Sequence, residues 1–353
     1  MKKGRPFPAL MALLIFSMLI CSCDHRELMD PDGNIHYVRV YMDEQIKNVT
    51  CGFYNETYER PEFNRPLNIH AALAEASSGE IIYEGLLRNQ GNDERGYYID
   101  GYIKANPGEY NLLMYQLGSS VTHIRNNSNY YKTQAYTSRV SERILGQLTE
   151  TSKVVEAEKI VEEPEHILAS RCENITIAPS FRVDTLKTSA GDYFTAKSIA
   201  KSYYIQMKIT GTQWVNSAAA VLSGMAGSTS LSKEDGMVVA DSVNLFFSMQ
   251  LAGEKKRTGN EDTMSTLYAT FTTFGKIPDK ASVLTLNFEF TKTDGSSQIE
   301  KIDLTEAFST PLALEKQWIL LDKEINITKP IGGTGGMDPG VEGWNEKEAD
   351  LFM

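Results

Sequence analysis

Hydrophobic and polar positions along this chain alternate with a period of two over much of its length, the pattern of half-buried β-strands. In Ile35–Met42, Val38, Val40 and Met42 interleave with Tyr37, Arg39 and Tyr41, and the segment is rich in β-branched and aromatic residues. Further strands are expected over 67–73, 80–87, 97–103, 110–117 and 130–136. Turn-forming clusters separate them at Ser77-Ser78-Gly79, Asn89–Asp93 and Asn106-Pro107-Gly108. The alternation breaks over 138–170, where the charged stretches 141–148 and 154–161 read as short helices or a long connection. Pro164 ends the second stretch, because proline has no backbone N–H to continue a helix. Strands resume over 175–179, 203–211, 213–222, 243–251, 264–274, 283–291 and 298–303. Thr293-Asp294-Gly295 predicts a hairpin turn, and Ala218-Ala219-Ala220 is a helix-friendly run inside an expected strand. Short strands at this spacing predict an all-β fold of sandwich or barrel type in each half, with a domain boundary near 169–173.

The N-terminus follows a different rule. Lys2, Lys3 and Arg5 precede an apolar run from Met11 to Ile20. About twenty apolar residues are needed to span a bilayer, so this run reads as the central part of a signal peptide, residues 1–22. Ile20-Cys21-Ser22-Cys23 has the form of a lipobox, with an aliphatic residue three before the last cysteine and a small one just before it. Cys23 is then the lipidation site and the mature N-terminus, because the thioether requires a sulfur nucleophile. Several acyl chains on one residue give stable attachment to a membrane, expected here to be the outer membrane, at roughly 0.8 kcal/mol per buried methylene. Cys21 is the alternative acceptor, with Leu19-Ile20 and no small residue before it.

Composition narrows the function. The chain has 353 residues, long enough for two domains, and 35 basic against 46 acidic side chains give a net charge of −11. That sign repels phosphate backbones and excludes nucleic acid as a natural partner. Four cysteines are too few for a disulfide-built scaffold. With Cys21 removed and Cys23 acylated, Cys51 and Cys172 remain. They can pair in an oxidising compartment, but two buried thiols is the favoured reading.

Several ordered stretches resemble the fimbrillin-type lipoproteins of Bacteroidales. The lipobox is followed closely by Val38-Arg39-Val40-Tyr41. Asn106-Pro107-Gly108-Glu109-Tyr110 is similar to a strand entry of that family, and Glu163-Pro164-Glu165-His166-Ile167-Leu168-Ala169 to the segment before its second domain. Leu222-Ser223-Gly224-Met225-Ala226-Gly227, Phe271-Thr272-Thr273-Phe274-Gly275 and the terminal Val341-Glu342-Gly343-Trp344 fall where such motifs do. The resemblance implies two tandem transthyretin-like, immunoglobulin-like β-sandwich domains, over 23–170 and 171–330, and a glycine-rich tail over 331–353. It also implies a lipid-anchored fimbrial subunit that serves cell adhesion and meets its neighbours through β-strand exchange. In shaft subunits, as the resemblance implies, a protease cuts after an arginine and removes the first strand; an anchor keeps lipid and strand. Arg39 lies inside the first expected strand, and Arg60-Pro61 and Arg65-Pro66 place proline after arginine, so anchor or accessory subunit is favoured over shaft. The tail after Trp344 is less apolar than the family pattern, which weighs against a donor strand there.

No G-x-S-x-G, H-E-x-x-H or phosphate-loop motif is present, and no catalytic, cofactor-binding or metal site is expected. His25, His36, His70, His123 and His166 are widely separated; Glu162, Glu163, Glu165 and His166 read as a solvated linker. Asp30-Pro31-Asp32-Gly33-Asn34 reads as a turn rather than a calcium loop. Asp184-Thr185-Leu186, Asp241-Ser242-Val243 and Asp262-Thr263-Met264 fit an O-glycosylation pattern that also arises by chance. Aromatic residues reach 10%, with adjacent pairs at Phe53-Tyr54, Tyr97-Tyr98, Tyr130-Tyr131 and Tyr203-Tyr204. Exposed rings of this kind stack on sugars, so glycans stand as the alternative partner, in a surface glycan-binding lipoprotein.

Overall fold

The computed structural model describes residues 34–43, 65–180, 183–233, 241–252, 264–277 and 283–330. In the first half the strands are β1 (Ile35–Met42), β2 (Ile69–Glu75), β3 (Ile81–Leu87), β4 (Asn89–Asp93), β5 (Gly96–Lys104), β6 (Gly108–Tyr115), β7 (Thr122–Arg125) and β8 (Gln134–Thr137). After a connector come β9 (Ile160–Val161), β10 (Leu168–Ile177), β11 (Asp184–Thr185) and β12 (Phe194–Ser198). The remainder is β13 (Lys201–Thr210), β14 (Val215–Ala226), β15 (Ser228–Ser230), β16 (Ser242–Ser248), β17 (Gln250–Ala252), β18 (Ser265–Thr273), β19 (Thr285–Lys292), β20 (Ser297–Asp303) and β21 (Trp318–Asn326). The chain is all-β, built as two sandwiches.

The first sandwich is one path of paired strands, β3-β2-β6-β10-β12-β1-β5-β4, with β11 beside β1. The path folds over a core that takes Val38, Val40, Ile99 and Ile103 from one layer and Ala71, Leu73, Leu112 and Met114 from the other. Only Arg88 separates β3 from β4, so one nearly continuous strand serves both layers, and the Arg88 N–H bonds the Asp100 carbonyl at 3.2 Å.

The second sandwich packs the sheet β17-β18-β13-β21 on the sheet β20-β19-β14-β16-β9. Ile205, Met207, Ile209 and Phe271 face Ala220, Leu222, Phe247, Phe288 and Phe290. The Phe247 and Phe271 rings stack at 4.5 Å. The Ala218–Ala220 run is strand because both its faces are crowded: Ala218 and Ala220 enter this core, and Ala219 packs outward against the connector. Asp294-Gly295 makes the expected hairpin turn, with Gly295 at φ +81° and the Asp294 carboxylate accepting the Ser296 N–H at 3.0 Å.

The boundary expected at 170/171 falls inside β10. Strands through Ser198 pair with the first sandwich: β10 runs antiparallel to β6, and β12 runs parallel to β1. Conversely, the connector over 138–163 joins the second sandwich. Val140, Leu148 and Ile160 cover Val221 and Phe246 on its outer face, and β9 pairs with β16. The chain therefore crosses between the bodies more than once. Sequence periodicity marks strands but not which sheet they enter, because pairing partners are distant in the chain.

The crossings make a firm junction. Leu113 and Tyr115, on the outward face of β6, pack with Tyr130, Ala135, Ala200, Ala226 and Phe274. A small sheet, β15-β8-β7, carries hydrogen bonds from one body to the other. The 163–169 linker is pinned throughout: Glu163 accepts the Thr272 N–H at 2.7 Å, the Glu165 N–H reaches Thr122 Oγ1 at 2.8 Å, and the His166 ring lies between Ser198 Oγ (2.8 Å) and Ser202 Oγ (2.7 Å). The Ala226 N–H bonds the Gly275 carbonyl at 3.0 Å. Three of the stretches that resemble the family, at 163–169, 222–227 and 271–275, thus meet at this junction.

Two buried carboxyl groups tie the connector to the second sandwich. Glu289 of β19 is 2% exposed and accepts from Thr149 Oγ1 (3.0 Å), the Thr151 N–H (2.9 Å) and Ser297 Oγ (3.1 Å). Burial alone would raise its pKa, but the N–H groups of Thr151 and Glu150 and the hydroxyls outweigh it and hold the carboxylate below its usual value of 4.5. Its stabilising contribution is therefore present above about pH 4.5 and is lost as pH falls through the depressed value. Glu289→Ala strands buried donors at about 1–3 kcal/mol each, and urea unfolding at neutral pH is expected to show a loss of about 2–4 kcal/mol. Glu163 behaves oppositely: burial pushes it up to about 8 from 4.5, against the opposing Thr272 bond. Stability then declines as pH rises from about 4.5 to about 8, and Glu163→Gln, which keeps an acceptor for Thr272, is expected to raise the melting temperature at pH 8 more than at pH 5.

Candidate functional site: the first strand and its clamp

β1 alternates as its sequence demands. Val38 and Val40 are fully buried and Met42 nearly so, each worth about 1.5–3 kcal/mol of burial. On the inner side His36 Nε2 lies 3.2 Å from the Ala105 carbonyl. β1 runs antiparallel to β5 from Ile35 (beside Lys104) to Tyr41 (beside Tyr98). Its other edge pairs with β11 at His36 and Tyr37 and with β12 at Val40, Tyr41 and Met42. The first strand is thus central, hydrogen-bonded on both sides.

Its outward side chains form a clamp. The Arg39 guanidinium lies 3.8 Å from the centre of the Tyr98 ring, a close cation–π contact. Arg39 Nε donates to Tyr37 Oη at 3.0 Å, and its terminal nitrogens reach Asp93 (3.4 Å) and Asp100 (3.3 Å). Tyr37 Oη donates a short bond to Asp100, and Tyr41 Oη donates to Asp93 at 2.7 Å. Desolvation and the Asp100 bond push the Tyr37 hydroxyl up to about 12, so the phenol remains a donor at every physiological pH. The Tyr41 bond, with the Arg95 N–H and Arg39, holds Asp93 below the usual carboxylate range. Edge contacts at 5.6 Å, Tyr37 on Tyr102 and Tyr41 on Tyr98, complete the cover over β5. The Asp93 pair is solvated and contributes little; the enclosed Asp100 pair and the ring contact matter more.

The other sequence candidates do not gather. Cys23, Cys51, His25 and the loop at 30–33 lie outside the described residues. Cys172 sits half-buried in β10, where burial pushes its thiol up. Glu163 and His166 face different partners, and among the described residues no three His, Cys, Asp or Glu side chains group as metal ligands. Thr185 and Ser242 fall in strands, and the pattern at Asp262-Thr263 is not described. The tyrosine pairs split by strand geometry: Tyr97 is buried with Tyr98 outside, and Tyr130 is buried with Tyr131 at 45% exposure. Tyr203 stacks in the core on Phe271, and Tyr204 lies on the opposite face of β13. Sequence reasoning missed Asp93, Asp100 and Tyr193 as partners of Arg39; no local signal links residues 54 to 154 positions apart. Among described open edges, β21 carries the exposed charges Asp322, Lys323 and Glu324, a device that discourages strand addition.

Two β-sandwiches, with the first strand held at the centre of its sheet, define the architecture of this chain. The chain resembles the fimbrillin-type proteins of Bacteroidales, and the following matches support that likeness. Residues 88–247, from the β3–β4 corner through the junction to β16, match the family described as "Domain of unknown function (DUF5119)". A Bacteroides ovatus protein named "Putative fimbrium anchoring subunit Fim4B" is 24% identical over 272 residues, 70% of this chain and 76% of that protein. The crystal structure of a "putative adhesin" from Bacteroides ovatus superposes with a TM-score of 0.57 at 18% identity, covering 88% of this chain and 98% of that one. The fimbrial anchor protein Mfa2 from Porphyromonas gingivalis gives a TM-score of 0.47 at 12% identity over 83% of this chain and 90% of its own.

Arg39→Ala removes the ring contact and the cation beside Asp100. Urea unfolding is expected to show a loss of about 2 kcal/mol. In the unmodified protein, native-state digestion with an arginine-specific protease is expected to leave the Arg39–Val40 bond uncut.

Proposed function

We propose that this chain is a non-enzymatic, lipid-anchored fimbrial subunit, an anchor or accessory component at the cell surface, serving adhesion. The observation that carries the reading is the position of β1. A sandwich whose own first strand fills the sheet centre has no groove there for a neighbour's strand, so this body closes a series of strand-exchanging subunits instead of extending it. Losing β1 would remove Val38, Val40 and Met42 from the core and unpair two strand edges. The clamp around Arg39 keeps the one arginine of β1 away from a processing protease.

Attachment follows from the same end of the molecule. Ten residues lie between Cys23 and Asn34, a reach of at most about 40 Å when extended. An acylated Cys23 therefore holds the Ile35 end of the first sandwich near the outer membrane. The relative named as a fimbrium anchoring subunit and the adhesin of the same fold support the assignment. Contacts to other fimbrial subunits are then made by strand exchange in which this chain is not the acceptor at β1.

Mass spectrometry of the N-terminus of the protein isolated from its own cells tests this. An acylated Cys23 followed by an intact chain is expected. A new N-terminus behind Arg39, Arg60 or Arg65 would overturn the anchor reading and make the chain a processed shaft or tip subunit.

A further inference from the structure

We propose that a cleft on the first sandwich binds a neutral sugar unit of a glycan. The cleft encloses about 510 Å³, a volume within the range of small-molecule sites. It opens where the end of β1, the β4–β5 hairpin and the loop before β12 converge. Tyr41, Tyr97 and Tyr193 supply its aromatic wall, and Arg95, Asp192 and Thr195 its polar rim.

The rings are set by bonds inside the protein. Tyr41 Oη is committed to Asp93 (2.7 Å) and Tyr97 Oη to the Pro66 carbonyl (3.0 Å). Tyr41 and Tyr193 lie 5.9 Å apart, tilted against each other. Arg39 stands 5.4 Å and Lys187 5.1 Å from the centre of the Tyr193 ring. Tyr41 and Tyr97 are 7% and 8% exposed, so they back the cleft, and the half-buried Tyr193 supplies most of the ring surface it offers. A pyranose presents a face of C–H groups to such a wall and a rim of hydroxyls to the groups beside it.

The rim has the chemistry those hydroxyls require. Asp192, Arg95 and Thr195 are all exposed. A carboxylate accepts from two adjacent hydroxyls, a guanidinium donates to two, and a threonine hydroxyl does either. The lining carries two carboxylates, Asp43 and Asp192, against the one guanidinium of Arg95, and the chain as a whole carries −11, so an acidic sugar is disfavoured. The position also suits a partner in solution. β1 runs from Ile35 to Met42, and the cleft lies at the Met42 end, opposite the point where the chain enters from its proposed lipid.

The test uses the mature full-length chain in detergent and a panel of neutral oligosaccharides of glucose, galactose, mannose and N-acetylglucosamine, with sialylated and sulfated oligosaccharides for comparison. At least one neutral member is expected to bind, read by calorimetry. Asp192→Ala and Tyr193→Ala are each expected to weaken it about tenfold or more, whereas Tyr193→Phe, which keeps the ring, retains it. The Asp192 side chain is exposed and its backbone alone makes the Thr188 turn, so Asp192→Ala does not threaten folding. Binding of no neutral member, binding indifferent to Asp192→Ala and Tyr193→Ala, or binding confined to the acidic sugars would overturn the proposal. The N-terminal mass measurement is independent of all these outcomes, so this inference and the anchor assignment fail separately.

Discussion

The rest of the structure depends on the pairing of β1 on both of its edges. Through Val38, Val40 and Met42 it fills the middle of the first core, and through its backbone it joins β5 to β11 and β12. A central strand cannot leave without opening two ladders and a core together, so it is held by the whole sheet and not by any one contact. The Arg39 cluster adds an outer layer to that constraint. It places a cation on Tyr98 and against Asp100, where solvent screens the interaction less than at an open surface.

The junction is the second element of the design. A chain that entered the second sandwich once and stayed there would leave a single flexible link. Here the connector covers one sandwich before the chain returns to complete the other, and β15 pairs with β8 across the gap. Relative motion of the two bodies would have to break strand pairing and the buried Leu113–Tyr130–Phe274 cluster. The buried, raised Glu163 marks the opposite side of the same bargain: enclosing the linker leaves one carboxyl without enough partners to stay charged.

Placement of chemistry follows from this frame. The side chains of β1 that face out serve both the clamp and the cleft, with Tyr41 common to the two. A site whose wall is already needed to hold the strand is rigid without further provision, which is the condition for recognising a weakly interacting ligand such as a neutral sugar.

The sequence by itself determined the all-β character, the position of β1 to the residue, the Asp294-Gly295 hairpin and the resemblance to fimbrillin-type proteins. Each rests on local chemistry: side-chain alternation, a residue that tolerates positive φ, or motifs that stand in order along the chain. Strand β12, with Phe194 and Ala196 inward and Thr195 and Lys197 outward, was also legible in principle, but its run of five is short and lies between turn-forming residues. Tertiary structure alone decided that 168–198 completes the first sandwich, that 138–163 covers the second, and that Arg39 meets Tyr98, Asp93 and Asp100. Those outcomes depend on which strands pair, and pairing is set by the fit of two faces far apart in the chain, which no local pattern encodes.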